Sequence, residues 1–156
     1  MVILGVDPGI ARTGWGAIEK QGSKTKALEY GCFETASTDE LPKRLIAIRK
    51  HILSLVKKYK PEALGIEELF FNTNAKTAMI VGQARGVVIE AAAESNIKVV
   101  SFTPPEIKTA ITGYGKAEKE QIGKMVKMLL GLPEIPKLDD TCDALACALA
   151  CAFSKK

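Results

Sequence analysis

The chain has a single histidine, His51, in 156 residues. That scarcity argues against Ser/His/Asp hydrolysis, which needs an imidazole as general base. His51 itself stands among lysines in a helical stretch, where a solvated position is expected. There is no CxxC pair either. Of the four cysteines (Cys32, Cys142, Cys147, Cys151), three share one Ala/Leu-rich segment and read as small buried hydrophobes, which speaks against zinc and thiol chemistry. No apolar run approaches the ~18 residues of a membrane span, and the short apolar start lacks a basic leader and a small-residue cleavage site. A cytoplasmic protein without membrane contact is expected. Internal repeats, low-complexity tracts and long linkers are also missing. The chain therefore reads as one globular domain, 1–156, and its net charge of +4 permits a polyanionic partner without requiring one.

What is present alternates in an orderly way. Val2-Ile3-Leu4-Gly5-Val6 reads as a buried strand ending at Asp7, and Pro8-Gly9 turns the chain. "TGWGAIEK" and "TKALEYGCFETA" read as two more strands around a "QGS" turn. Leu41, Leu45, Ile48, Ile52, Leu55 and Tyr59 recur at helical spacing. "PEALGIEE" is a short buried strand running into Glu67 and Glu68, followed by a helix from about Asn74 to Ser95 and the strand "IKVVSF". Thr103-Pro104-Pro105-Glu106 has capping-box spacing and starts a third helix, closed by Gly113 and Gly115. A fourth helix ends at Gly131, and "DDTCDALACALACAF" is a fifth, apolar enough after its first turn to pack on a sheet. This is an α/β pattern with a five-stranded mixed sheet flanked by helices.

The acids raise the functional question. Asp7 and Glu67 both end buried strands, where the crevice of an α/β sheet forms. Asp140 and Asp143, three apart, project from one turn of the last helix. Each has a plain alternative: Asp-Pro-Gly is a good turn, and Asp139 or Asp140 complements a helix N-terminus. Asp143 lies too deep for capping and is flanked by apolar residues. Four converging acids would repel one another unless a divalent cation joined them, and an all-oxygen set suits Mg²⁺ or Mn²⁺.

The segments "GVDPG", "GIEELFF", "GQARG" and "DDTCDALA", in this order and at these separations, resemble the RuvC-type Holliday junction resolvases, whose fold is ribonuclease H-like. The likeness runs from Val2 to about Phe153. It implies a metal-dependent endonuclease of recombination and repair that resolves four-way DNA junctions by paired, symmetric nicks. Its catalytic, metal-binding acids would be Asp7, Glu67, Asp140 and Asp143, with Glu68 and Asp139 as competing neighbours. Two Mg²⁺ ions per site, roughly 3.5–4 Å apart and replaceable by Mn²⁺, would leave 5′-phosphate and 3′-hydroxyl ends. Arg12, Lys76, Arg85, Lys108, Lys116 and Lys119 are the candidate DNA-backbone contacts, with Lys108 and Lys119 nearest the phosphates by resemblance. Phe70, or else its neighbour Phe71, would stack on an unpaired base at the crossover, an interaction worth ~1–3 kcal/mol. The helix "AMIVGQARGVVIEAAA" is apolar over much of its circumference and by resemblance would form a homodimer face. A branch-migration helicase complex would be a further partner.

Two other classes fit parts of the pattern. An actin-like or sugar-kinase-like ATPase shares the sheet and the opening Asp-x-Gly, but it needs a second such domain and a second phosphate turn, which do not occur in this sequence. A non-catalytic junction-binding module of the same fold would be expected to have lost some of the acids, and all four are present.

Overall fold

A computed structural model describes residues 1–69 and 74–154. In chain order the elements are β1 (Val2–Asp7), β2 (Arg12–Gln21), β3 (Lys24–Glu34), α1 (Leu41–Tyr59), β4 (Ala63–Glu67), α2 (Ala75–Glu94), β5 (Lys98–Phe102), α3 (Pro104–Thr112), α4 (Lys119–Leu130) and α5 (Asp139–Phe153). The five strands form one mixed sheet in the order β3-β2-β1-β4-β5. β1 and β2 pair antiparallel, as do β2 and β3, whereas β1, β4 and β5 run parallel. The three parallel strands therefore end on the same side, and Asp7 and Glu67 are the last residues of two neighbouring ones.

Alternation along the strands sorts their side chains between two apolar layers. Leu4, Val6, Leu64 and Ile66 face α1 and α2, where they meet Ile48, Ile52 and Val88. Ile3 and Ala63 face the other way, into the layer built by α3, α4 and α5 with Ile107, Val126, Leu145 and Leu149. Local signals agree with this arrangement. Thr103 and Glu106 form the capping box of α3, with the Thr103 N–H donating to Glu106 Oε2 at 2.8 Å, and Gly113 at φ 76° ends that helix.

Helix α5 lies unusually close to the sheet because the strands present glycine beneath it. A Cβ on Gly5 would stand 2.0 Å from the Ala144 carbonyl oxygen, one on Gly14 1.9 Å from that of Asp140, and one on Gly65 2.5 Å from that of Cys147. The Ala- and Cys-rich sequence of α5 is the other half of this fit. Cys142, Cys147 and Cys151 are buried free thiols, as the composition anticipated. Burial pushes the Cys142 and Cys151 thiols up to about 11, so neither is a ready nucleophile.

His51 departs from the solvated position expected of it. Its ring stacks on Phe33, with centroids 4.3 Å apart and planes 9° apart, and meets Trp15 edge-on. Its Nε2 is buried without a hydrogen-bond partner among the described residues. The physical reason is register: His51 lies three residues after Ile48 and four before Leu55, on the packed face of α1, while the lysines beside it point outward.

Candidate active site

The period-two alternation that buries Leu4, Val6, Leu64 and Ile66 on one face directs the intervening residues to the other. In β1 that series is Ile3, Gly5, Asp7, and in β4 it is Ala63, Gly65, Glu67. Both acids thus point toward α5, and the glycine two residues before each lets α5 come down beside it. α5 brings its first turns to the same place. Asp140 and Asp143 are both partly covered there, whereas Asp139 remains exposed. Glu68, one residue past the strand, is exposed as well. Asp7, Glu67, Asp140 and Asp143 come together, and the two competing neighbours turn to solvent.

Electrostatics show how strongly the four are coupled. Burial, then Asp143, Asp140 and Glu67, push the Asp7 carboxyl up to about 7. Glu67 is raised by burial and Asp143, against the opposing pull of Lys108 and Lys119. Asp143 is also raised, mainly by burial, although Lys119 works the other way. Lys119 Nζ lies 3.0 Å from Asp139 and 3.6 Å from Asp143, and Arg12 Nε lies 3.5 Å from Asp140. Among the described residues no three acidic, histidine or cysteine side chains are drawn into a closed cation cage. The two observations are compatible, since Coulomb coupling acts over several ångströms while ligation requires about 2–2.6 Å. Partly buried, all-oxygen donors gathered this closely are a set that a hard divalent cation would suit, because added positive charge relieves their repulsion.

A cleft of about 230 Å³ opens on this cluster, lined by Glu67, Asp143, Lys108 and Lys119 over an apolar floor of Pro104, Ile107, Ile122 and Ala146. Lys108 and Lys119 therefore sit beside the acids. Lys76 and Lys116 are exposed, in the first turn of α2 and in the loop between α3 and α4. Arg85, half-buried on α2, is engaged within the protein. Its Nε donates to the Glu67 carbonyl at 3.0 Å and its Nη2 to Ser101 Oγ at 2.7 Å, so the guanidinium is held by protein acceptors. Phe70 and Phe71 lie outside the described residues.

The sequence reading missed the residues that hold the turn after Asp7. Thr13, buried, donates from Oγ1 to the Gly9 carbonyl at 2.8 Å. Thr35 N–H donates to Ala11, and Arg44 of α1 donates from Nε to Thr35 Oγ1 at 2.7 Å. A buried threonine inside an apolar strand was the available signal for Thr13. Arg44, half-buried on α1, gave none.

Comparison with known proteins places this geometry. Residues 3–151 match the family model described as crossover junction endodeoxyribonuclease RuvC. The RuvC of Desulforamulus reducens is 51% identical over 149 residues, covering 96% of this chain and 91% of that protein. That of Caldicellulosiruptor saccharolyticus is 50% identical over 150 residues, covering 96% and 90%. Among solved structures, Thermus thermophilus RuvC superposes with a TM-score of 0.90 at 36% identity, covering 98% of this chain and 94% of that one. The same protein in complex with Holliday junction substrate gives 0.90 at 34% identity, with the same coverage.

Proposed function

The chain belongs to the RuvC family of crossover junction endodeoxyribonucleases and is a nuclease that resolves Holliday junctions, and from that premise we propose that Asp7, Glu67, Asp140 and Asp143 are its catalytic acids. The observation that carries this reading is the convergence of four acids from β1, β4 and α5, where burial and then the charges of Asp143, Asp140 and Glu67 lift Asp7 to about 7. The family uses divalent metal, and Mg²⁺ is the ion proposed here. Held by Asp7, Glu67, Asp140 and Asp143, two such ions would supply Lewis-acid chemistry for an attacking water and a leaving 3′-oxygen. The protein's own part is to hold and orient. Asp7, on a strand end pinned by Gly14 on one side and the β1–β4 ladder on the other, offers both carboxylate oxygens from a rigid base. Glu67, Asp140 and Asp143 complete the oxygen set from two further elements. Lys108 and Lys119 hold the backbone of the strand to be cut, since they line the cleft that the acids share. Products with 5′-phosphate and 3′-hydroxyl ends follow.

Further parts of the reading rest on the family resemblance and on surface features. The enzyme works in the cytoplasm as a single nuclease domain per chain, in a homodimer across α2. In support, Met79 on that helix is 67% exposed, and a Cβ on Gly86 would meet nothing within 4 Å. A two-fold dimer suits a four-way junction, because two opposed sites can nick two strands symmetrically. Phe70, three residues after Glu67, stacks on an unpaired base at the crossover, and a branch-migration helicase complex delivers the junction. The test is incubation with a synthetic four-way junction and Mg²⁺, mapping cuts strand by strand. Paired cuts in strands of like polarity, absent in EDTA, are expected. Cuts that ignore the junction, or that persist in EDTA, would overturn the reading.

A further inference from the structure

We infer that Arg85 is a positioning residue for Glu67, fixing the peptide that carries this acid rather than gripping DNA. The inference rests on the assignment of Glu67 to the catalytic set. The β1–β4 register ends at Val6 opposite Ile66, so the Glu67 carbonyl lies one residue past that ladder. A polar group at such a position must find another partner. The peptide linking Glu67 to Glu68 is held at both ends. Its N–H donates to the Phe102 carbonyl of β5 at 2.8 Å, and its carbonyl accepts from Arg85 Nε at 3.0 Å. The same guanidinium donates to Ser101 Oγ, on the β5 residue paired with Ile66. One planar fork from α2 thus ties together the ends of the neighbouring parallel strands β4 and β5. With that peptide plane fixed, the Cα–Cβ direction of Glu67 toward α5 is fixed too.

Its charge is not the operative feature. Burial shifts the Glu67 carboxyl most, followed by the charges of Asp143, Lys108 and Lys119, and Arg85 is not among them. Its influence runs through the backbone, as partners behind a ligand orient it without touching the ion. A lysine in its place would keep the charge but lose the fork that spans both acceptors.

The experiment compares Arg85→Ala, Arg85→Lys and Glu67→Gln with the wild type. It measures Mn²⁺ binding without DNA, the metal concentration for half-maximal cleavage, junction affinity in EDTA with its salt slope, and thermal unfolding. For both Arg85 variants, metal affinity and cleavage are expected to fall roughly 10–100-fold, the usual cost of losing such a partner. Junction affinity in EDTA and its salt slope are expected to stay at wild-type values. A drop in EDTA affinity with a slope reduced by about one would make Arg85 a phosphate contact and overturn the inference. Full metal affinity in Arg85→Lys would also overturn it, because charge rather than the fork would then suffice. Should Arg85→Ala fail to fold, Arg85→Lys decides alone. Wild-type metal binding and cleavage by Glu67→Gln would remove Glu67 from the site and the inference with it. A dead Glu67→Gln beside Arg85 variants with wild-type metal response would overturn the positioning role alone.

Discussion

At the scale of single residues, the lysines of the cleft are the side chains whose roles separate most cleanly. Lys108 and Lys119 lie beside Glu67 and Asp143, so on the proposed reading each has two duties, to attract phosphate and to temper the acids. Lys108→Ala and Lys119→Ala are each expected to weaken junction binding and to reduce the slope of log K against log salt by about one. Lys119→Ala carries an additional cost, since Asp139 and Asp143 lose the cation 3.0 and 3.6 Å away. Its loss of affinity in EDTA is therefore expected to exceed that of Lys108→Ala, and divalent cation is expected to narrow the gap. Titrating both variants with junction at several salt concentrations, with and without metal, checks this. Equal losses under both conditions would show that Lys119 tempers the acids no more than Lys108 does.

At the scale of elements, the site depends on how closely α5 can approach the sheet. Gly14→Ala would drive a methyl to 1.9 Å from the Asp140 carbonyl, and both are backbone-bound, so the first turn of α5 must shift. Overpacking of this kind costs about 1–3 kcal/mol. A displacement near 1 Å at the acids costs about 10²-fold in rate. Cleavage is therefore expected to fall by that order while the protein still folds with a lowered melting temperature. A variant with normal cleavage would mean that α5 tolerates the shift. Much of this was legible in the sequence. Strand and helix periodicities, the Thr103–Glu106 box and Gly113 marked the elements, and the two strands ending in acids marked the candidate site. The repeated Gly-x-acid of Gly5-Val6-Asp7 and Gly65-Ile66-Glu67 also carried the reason both acids face α5, but it becomes legible only once a helix is known to cover that face. His51 was misjudged because polarity speaks of solvent, while its position on a packed helix face depends on what lies opposite; the internal partners of Arg85 were hidden for the same reason. Arg44 reaches the β1–β2 turn across a long sequence separation and left no local trace.

At the scale of the whole molecule, the acid cluster sets stability against function. The Asp7 carboxyl titrates near 7 in the folded, metal-free protein against about 3.8 ordinarily. Between these values the folded state keeps a proton that the unfolded chain has released. The Asp7 contribution to stability is thus present at about pH 4 and is lost as pH rises through 7. In EDTA, Asp7→Asn is expected to unfold like the wild type near pH 4. It is expected to be more stable above pH 7, by on the order of a few kcal/mol. Urea unfolding of both proteins across this range measures it, and a difference that does not grow with pH would remove the electrostatic strain at Asp7. The central claim is the proposal that this strain exists because Asp7 would hold a divalent metal needed for hydrolysis of the junction. Its most direct test is the single-turnover rate at which Asp7→Asn cleaves a synthetic four-way junction in Mg²⁺, using enzyme shown to bind that junction in EDTA at least as tightly as the wild type. A rate lower by orders of magnitude is expected, because a neutral amide cannot replace the ligating charge. Cleavage close to the wild-type rate would contradict the claim.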